Sequence, residues 1–241
     1  MNAANVSDER LQEVADGLQA ALVQEFGCRF VVKQESSLHQ IIARLFTTAT
    51  NAAADVRELA SYLSLDVPAL GLPTGEQYLA DFATTVHDQV ALPASWYTPA
   101  KARTRILVAP HEAGHWGQDK AGVDAGWWPR SLTHTALYLA SIASRDGAEY
   151  VGKIEGDQYA TTEAVAAWLG GPGGRRSIAS IQENLRRHYA LMAAGVDMAG
   201  GVLRTHYATM DAGGVPNVRS ARVAVDWLET HASDVKGKVL T

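Results

Sequence analysis

The chain has 241 residues, 47% of them hydrophobic and 20% charged, with a formal net charge of −5 and a single cysteine. That length suits one large domain or two tightly joined lobes, the mild acidity without a basic stripe argues against nucleic acid as a partner, and a single thiol excludes an intrachain disulfide framework. No apolar run is long enough to span a bilayer, and the stretch Met-Asn-Ala-Ala-Asn-Val-Ser-Asp-Glu-Arg at the N-terminus lacks the basic start and apolar core of a secretory signal, so a cytoplasmic or virion-associated protein with no membrane partner is expected.

In chain order, Ser7 followed by Asp8 and Glu9 predicts a helix start. Leu11, Val14, Leu18, Ala21, Leu22 and Phe26 recur at helical spacing, and Gly27 ends the pattern. Residues 28–33 read as a strand. Ser36 or Ser37 opens a second helix with Leu38, Ile41, Ile42, Leu45 and Phe46 on one stripe. His39, off that stripe, is expected in solvent. A further helix is predicted over 51–65, a loop over 66–74 with Pro68, Gly71 and Pro73, and a short helix over 75–83. Residues 85–92 alternate like a strand, with His87 an exposed strand histidine or, less economically, a remote ligand. After a loop at 94–101 holding Trp96 and Tyr97, residues 103–108 read as a further strand that could pair with 85–92. That pairing would set a sheet edge, where extended peptides dock, beside the element that follows.

That element is His111-Glu112-Ala113-Gly114-His115. On a helix, residues i and i+4 share a face, so His111 and His115 can aim at one ion, with Glu112 placed to reach a water at that ion. Pro110 is tolerated at a first helical position, so the helix is expected to start there. Gly114 costs helix stability, which points to something approaching closely at that position. Two imidazoles and a carboxylate are the donor types that suit zinc and leave a position open to water.

Beyond the motif, 124–130 is rich in large rings and suits either a core cover or a cleft wall. Helices are predicted over 131–144 with a structural His134, and over 147–169. The Gly170-Gly171-Pro172-Gly173-Gly174 run is a hinge. Helices over 178–192, 196–210 and 221–231 follow, the last capped by Ser220, and the tail 235–241 is expected to be mobile. The stripe of Ile178, Ile181, Leu185 and Tyr189 needs a partner surface, so 175–241 should pack on the motif half. The chain therefore reads as a single domain over 1–241, with an N-terminal α/β part (1–109), metal-site helices (110–170) and a C-terminal helical part (175–241).

The motif His111-Glu112-x-x-His115, with a carboxylate on a second helix some tens of residues on, resembles the gluzincin metallopeptidases. The longer pattern ending in Gln118 also looks like metallopeptidases encoded near phage and phage-tail-like genes, over about residues 75–165. The metzincin third histidine is missing, since Ala121 stands in its place, and so is the Asn-Glu pair that some gluzincins carry on the second helix. The resemblance implies an α+β, mostly helical, zincin-like fold with a small sheet ahead of the motif helix, a bound Zn2+, and a glutamate as third ligand.

Three glutamates compete for that place. Glu149 has Lys153 four residues on, an ordinary helical ion pair. Glu163 falls two turns beyond Glu155 on much the same face and suits an outer or surface role. Glu155 has no cation three or four residues away, and the flanking Gly152 and Gly156 would let its helix approach the motif helix. Glu155 is the expected ligand. Tyr159, Tyr189, His206 and Tyr207 carry donors that could steady an oxyanion.

Three functions stay open on the sequence. The first is zinc-dependent hydrolysis of a peptide or protein substrate, with Glu112 as general base. The second is a zincin-fold structural or assembly protein, such as a virion component, with little or no turnover. The third is hydrolysis of another amide, such as a peptidoglycan crosslink, for which no wall-binding repeat is present. Glu112 favours an enzyme, because a purely structural metal site needs no base.

Overall fold

The computed structural model describes residues 6–62, 73–124, 144–188 and 191–239, the side chains of residues 53, 55–62, 121–124 and 188 excepted. These residues are mostly helical around one small sheet. Helix α1, Asp8–Phe26, begins where Ser7 accepts a hydrogen bond from the Arg10 amide at 3.2 Å, with Asp8 and Glu9 against the positive helix end. It ends at Gly27, whose φ of 65° is the left-handed cap that glycine adopts without strain. Its buried face includes Leu18 and Leu22, each worth about 1.5–3 kcal/mol when fully removed from water.

Strand β1, Arg29–Val32, lies parallel to β3, Gln89–Leu92. Strand β2, Thr84–Val86, runs antiparallel to β3 on its other side, with Thr85 opposite Val90. The order β1-β3-β2 makes β2 an outer strand. The single strand expected over 85–92 is therefore a hairpin turning at His87-Asp88. His87 has φ 53°, the left-handed conformation that two-residue hairpin turns demand. Its ring rests against Trp116 with centroids 5.2 Å apart, so it is a turn residue and not a strand one.

Between β1 and β2 lie α2, Ser37–Tyr62, and α3, Gly75–Asp81, the latter opened by a capping box of Thr74 and Gln77. The two helices expected over 36–46 and 51–65 are one. The intervening Thr-Thr-Ala-Thr does not break the helix, because Thr47, Thr48 and Thr50 donate back to the carbonyls of Ala43, Arg44 and Phe46. The face that α2 buries is also not the apolar stripe. Ile41 and Leu45 are 55% and 63% exposed, whereas His39 and Ala43 are buried. His39 is thus a core residue and not a solvated one, its Nδ1 2.6 Å from the Tyr78 hydroxyl.

Residues 103–108 are not a strand. They belong to α4, Ala102–Asp124, and Pro110 lies inside that helix and not at its start. Ala102, Ile106, Ala109 and Ala113 recur at helical spacing and are fully buried, a pattern that a two-residue strand repeat would not give. Arg105 is buried as well, and its guanidinium reaches Asp16 at 2.8 Å and Gln19 at 3.0 Å on α1. An interior proline removes a backbone bond and costs about 3 kcal/mol; packing of this stripe against α1 offsets that loss.

Helix α5, Arg145–Gly170, runs through the middle of the molecule after a Ser144 cap. It is followed by α6, Ile178–His188, α7, Ala193–Asp211, and α8, Arg219–His231. The second half of α5 shares a core with α1, α4 and α8, through Val165, Leu169, Leu18, Ile106 and Leu228. Its first half shares a smaller core with α6 and α7, through Val151, Ile181, Leu185, Val196 and Leu203. Residues beyond the glycine-rich run therefore supply both cores.

Gly152 and Gly156 serve close packing, but toward α7: a Cβ on Gly152 would lie 2.0 Å from the Gly195 carbonyl oxygen, and one on Gly156 2.9 Å from Val202. Ser220 is not a cap. It lies within α8, buried, bonded to Gln158 and Thr161. Nor is the tail loose through residue 239, because Val235 and Val239 are buried and the Gly237 and Val239 amides donate to the carbonyls of Trp168 and Leu169. Residues 125–143, with the ring-rich loop and nearly all of the helix expected over 131–144, lie outside the described residues, as do 63–72 and Tyr189. No helix among the described residues is long and apolar enough to cross a membrane.

Candidate metal centre

The site forms where α4 crosses α5. Gly114 makes the crossing possible: a Cβ there would fall 1.9 Å from Gln158 Oε1, the atom that accepts a hydrogen bond from Ser220 on α8. His111, three residues before Gly114, and His115, the residue after it, face α5. His111 Nε2 and His115 Nε2 lie 3.1 Å apart. Glu155 of α5 places Oε2 3.7 Å from the first and Oε1 3.6 Å from the second. The three ligand atoms lie within 4.8 Å of one another, and all three residues are buried. Metal–ligand bonds of about 2.0–2.1 Å at tetrahedral angles require ligand atoms about 3.3 Å apart, so these separations fit a zinc ion with small adjustments.

The surroundings orient the ligands. His111 Nδ1 sits 3.2 Å from Thr162 Oγ1. When Nδ1 carries the proton and donates to that hydroxyl, the Nε2 lone pair faces His115 and Glu155, which is how metal-bound histidines are usually held. The Tyr159 ring meets His111 edge-on, with centroids 5.1 Å apart. Trp116, next to His115, donates its indole N–H to the Phe26 carbonyl and ties α4 to the end of α1.

Glu112 is held from the side of the sheet. Thr85 of β2 places its hydroxyl 2.8 Å from Glu112 Oε2 and 2.9 Å from the Glu112 carbonyl oxygen. Burial raises the Glu112 carboxyl above the ordinary range, while the Thr85 hydrogen bond and the charge of Lys33 oppose that rise. Burial also lifts Glu155 well above its usual value, and the negative charge of Glu112 pushes it further. Buried carboxylates near one another are what a divalent cation close by would relieve. Two imidazoles and a carboxylate are the donor chemistry zinc takes, so the residues present fit the ion.

No protein-family model, no curated protein and no solved structure matches this chain. The functional reading rests on the site's own chemistry. The rival glutamates have other partners. Glu149 pairs with Arg145 at 2.8 Å, four residues before it, and not with Lys153. Glu163, for which sequence neighbours offered no cation, is buried against Arg176, which meets it through backbone and guanidinium at 2.7 and 2.8 Å. That partner is thirteen residues away across the glycine-rich turn, beyond any helical spacing rule.

Of the oxyanion candidates among the described residues, Tyr159 meets His111, and its hydroxyl accepts from Asn184 at 2.6 Å. His206 is bonded to Asp157 at 2.9 Å, two residues along α5 from Glu155 and so on nearly the opposite face. The Tyr207 hydroxyl donates to the Arg176 carbonyl at 2.5 Å. Thr85, Thr162 and Lys33 were not legible as site residues. A threonine in a strand or on a helix carries no local signal, and only the tertiary crossing brings them to the motif.

Proposed function

We propose that this protein is a zinc-dependent peptidase of zincin type, with His111, His115 and Glu155 as ligands and Glu112 as general base. The reading is carried by one observation: ligand atoms from two crossing helices converge within 4.8 Å at a buried point. When bound there, zinc supplies Lewis acidity, which brings the pKa of a water toward neutrality and polarises a carbonyl.

The chain's own groups do the rest. Glu112, ionised, takes a proton from the attacking water and passes it to the leaving amine. Its burial makes it a stronger base than an exposed glutamate. Thr85 suits both protonation states with its single proton. The hydroxyl donates to Oε2 while Glu112 is ionised. Once the carboxyl is protonated, the hydroxyl accepts from it and turns its own proton to the Glu112 carbonyl oxygen, 2.9 Å away. Tyr159, beside His111, is the candidate to steady the developing negative charge. The outer strand β2 supports a peptide as substrate, because an extended chain can add to a strand edge and Thr85 places that strand next to Glu112.

The test combines elemental analysis with cleavage of a peptide library before and after chelation. About one zinc per chain and chelator-sensitive cleavage are expected. Glu112→Gln should keep the zinc and lower kcat by at least about a hundredfold. Absence of zinc from protein purified with the metal in excess would sink the proposal.

A further inference from the structure

Lys33 follows β1 and is 0% exposed. Its ammonium sits 2.9 Å from the Tyr78 carbonyl oxygen, 2.7 Å from that of Phe82 and 2.8 Å from Thr84 Oγ1. It also stands 3.6 Å from the centre of the Tyr78 ring. These partners are uncharged, and the charge that favours the protonated ammonium is Glu112. Burying an ammonium is costly without an opposite charge, and a methionine would fill the same volume. The position of the ammonium gives it a second use. It clamps residues 78–84, the segment that delivers β2, and the next residue is Thr85, which holds Glu112 by its carboxylate and its carbonyl.

We infer that Lys33 and Thr85 form a tether that positions the Glu112 carboxylate, Lys33 by fixing the start of β2 through Tyr78, Phe82 and Thr84, Thr85 by bonding one of its two oxygens. Both are positioning residues, since neither touches the metal ligands or the reacting atoms. The inference rests on the peptidase reading for its purpose but not for its physical content. A tether of this kind couples three residues energetically, whereas a lysine that merely fastens residues 78–84 would be indifferent to what stands at position 112.

The test is a pair of double-mutant cycles in folding stability, run on the protein as purified at about pH 6, below the value of about 7 to which burial lowers Lys33. One cycle combines Lys33→Met with Glu112→Gln, the other Thr85→Val with Glu112→Ala. Coupling of about tenfold in the unfolding constant, or about 1.4 kcal/mol, is expected in each. Additivity within about twofold overturns the tether. If Lys33→Met does not fold, the Thr85 cycle decides by the same criterion.

Kinetics give the second readout. Thr85→Val should lower kcat about tenfold or more with KM little changed, and Thr85→Ser, which keeps the hydroxyl, should restore it to within about threefold. Unchanged kcat in Thr85→Val, or a serine variant as slow as the valine one, overturns the positioning role. If the parent cleaves nothing, the peptidase reading falls and the stability cycles alone decide the tether.

Discussion

Glu112 and Glu155 are buried carboxyl groups on neighbouring helices, and substitution should separate their roles. His115→Ala and Glu155→Gln each remove a ligand, so zinc content after dialysis should fall well below one per chain while Glu112→Gln keeps it; elemental analysis reads the difference. Lys33 and His39 should shape the pH dependence of folding. Burial lowers Lys33 from 10.5 to about 7, so between those values the unfolded chain holds a proton that the folded chain has released. Stability from this group therefore rises with pH across that window and is lowest below it. Burial, then the charge of Lys33, lowers His39 from 6.5 to about 4, so its contribution is lost as pH falls from 6.5 toward 4. Denaturant midpoints against pH should show both slopes, and Lys33→Met should flatten the alkaline one. A Lys33→Met curve parallel to the parent's would contradict this. At this scale the sequence exposes what is local. His111, Glu112 and His115 share one helical turn, and Glu155, like Glu163, has no cation three or four residues away in the sequence, whereas Glu149 does. Lys33, Thr85 and Thr162 matter through contacts made 27 to 51 residues away, which no spacing rule reaches.

The helices cross closely at glycines, and those crossings make distinct demands. A Cβ on Gly152 would meet the Gly195 backbone at 2.0 Å, so Gly152→Ala should destabilise by about 2–3 kcal/mol through forced separation of α5 and α7. Gly201 lies inside α7 with nothing nearer than 3.8 Å to such a Cβ. Gly201→Ala should therefore stabilise by about 0.5–1 kcal/mol through helix propensity alone. Thermal unfolding of the two variants gives the comparison, and equal effects would show that the crossing is not as tight as described. The elements themselves were largely legible. α1 has a cap, a period and a stop, and the sequence reading recovers all three. The reading of 103–108 as a strand failed because Thr-Arg-Ile-Leu-Val is rich in β-branched residues and a proline follows it. The stripe of Ala102, Ile106, Ala109 and Ala113 carries the helical period, but alanines are too weakly apolar to announce it. α2 misleads in the opposite way, showing solvent two large aliphatic side chains while it buries a histidine.

Both cores depend on residues 175–239. Residues 175–239 supply Ile181, Leu185, Val196 and Leu203 to one core and Ala221, Ala224 and Leu228 to the other. Truncation after Gly174 should abolish cooperative unfolding, as followed by circular dichroism against denaturant; a soluble truncated chain with a sharp transition would overturn this. A bound ion should act on the same equilibrium. Zinc at about a hundredfold over its dissociation constant adds about 2.7 kcal/mol, raising Tm reversibly on addition and lowering it with chelator. Glu155→Gln should show little of that shift. A zinc-dependent Tm in a chain that cleaves no peptide would favour the assembly-protein reading over the enzyme.

The hook at residues 237–239 bears on the order of events during synthesis. The ribosome makes α5 and Glu155 well before the amides that close the C-terminal turn of that helix at Trp168 and Leu169. At about 5–20 residues per second, the intervening stretch of roughly 70 residues takes about 4–14 s to emerge. During that interval the nascent chain carries both histidines and the glutamate without the helices that later wall them in. On the proposed reading, metal capture by a finished pocket is therefore a late event, and a nascent chain stalled near the glycine-rich run would hold the two histidines and the glutamate without the packing that surrounds them.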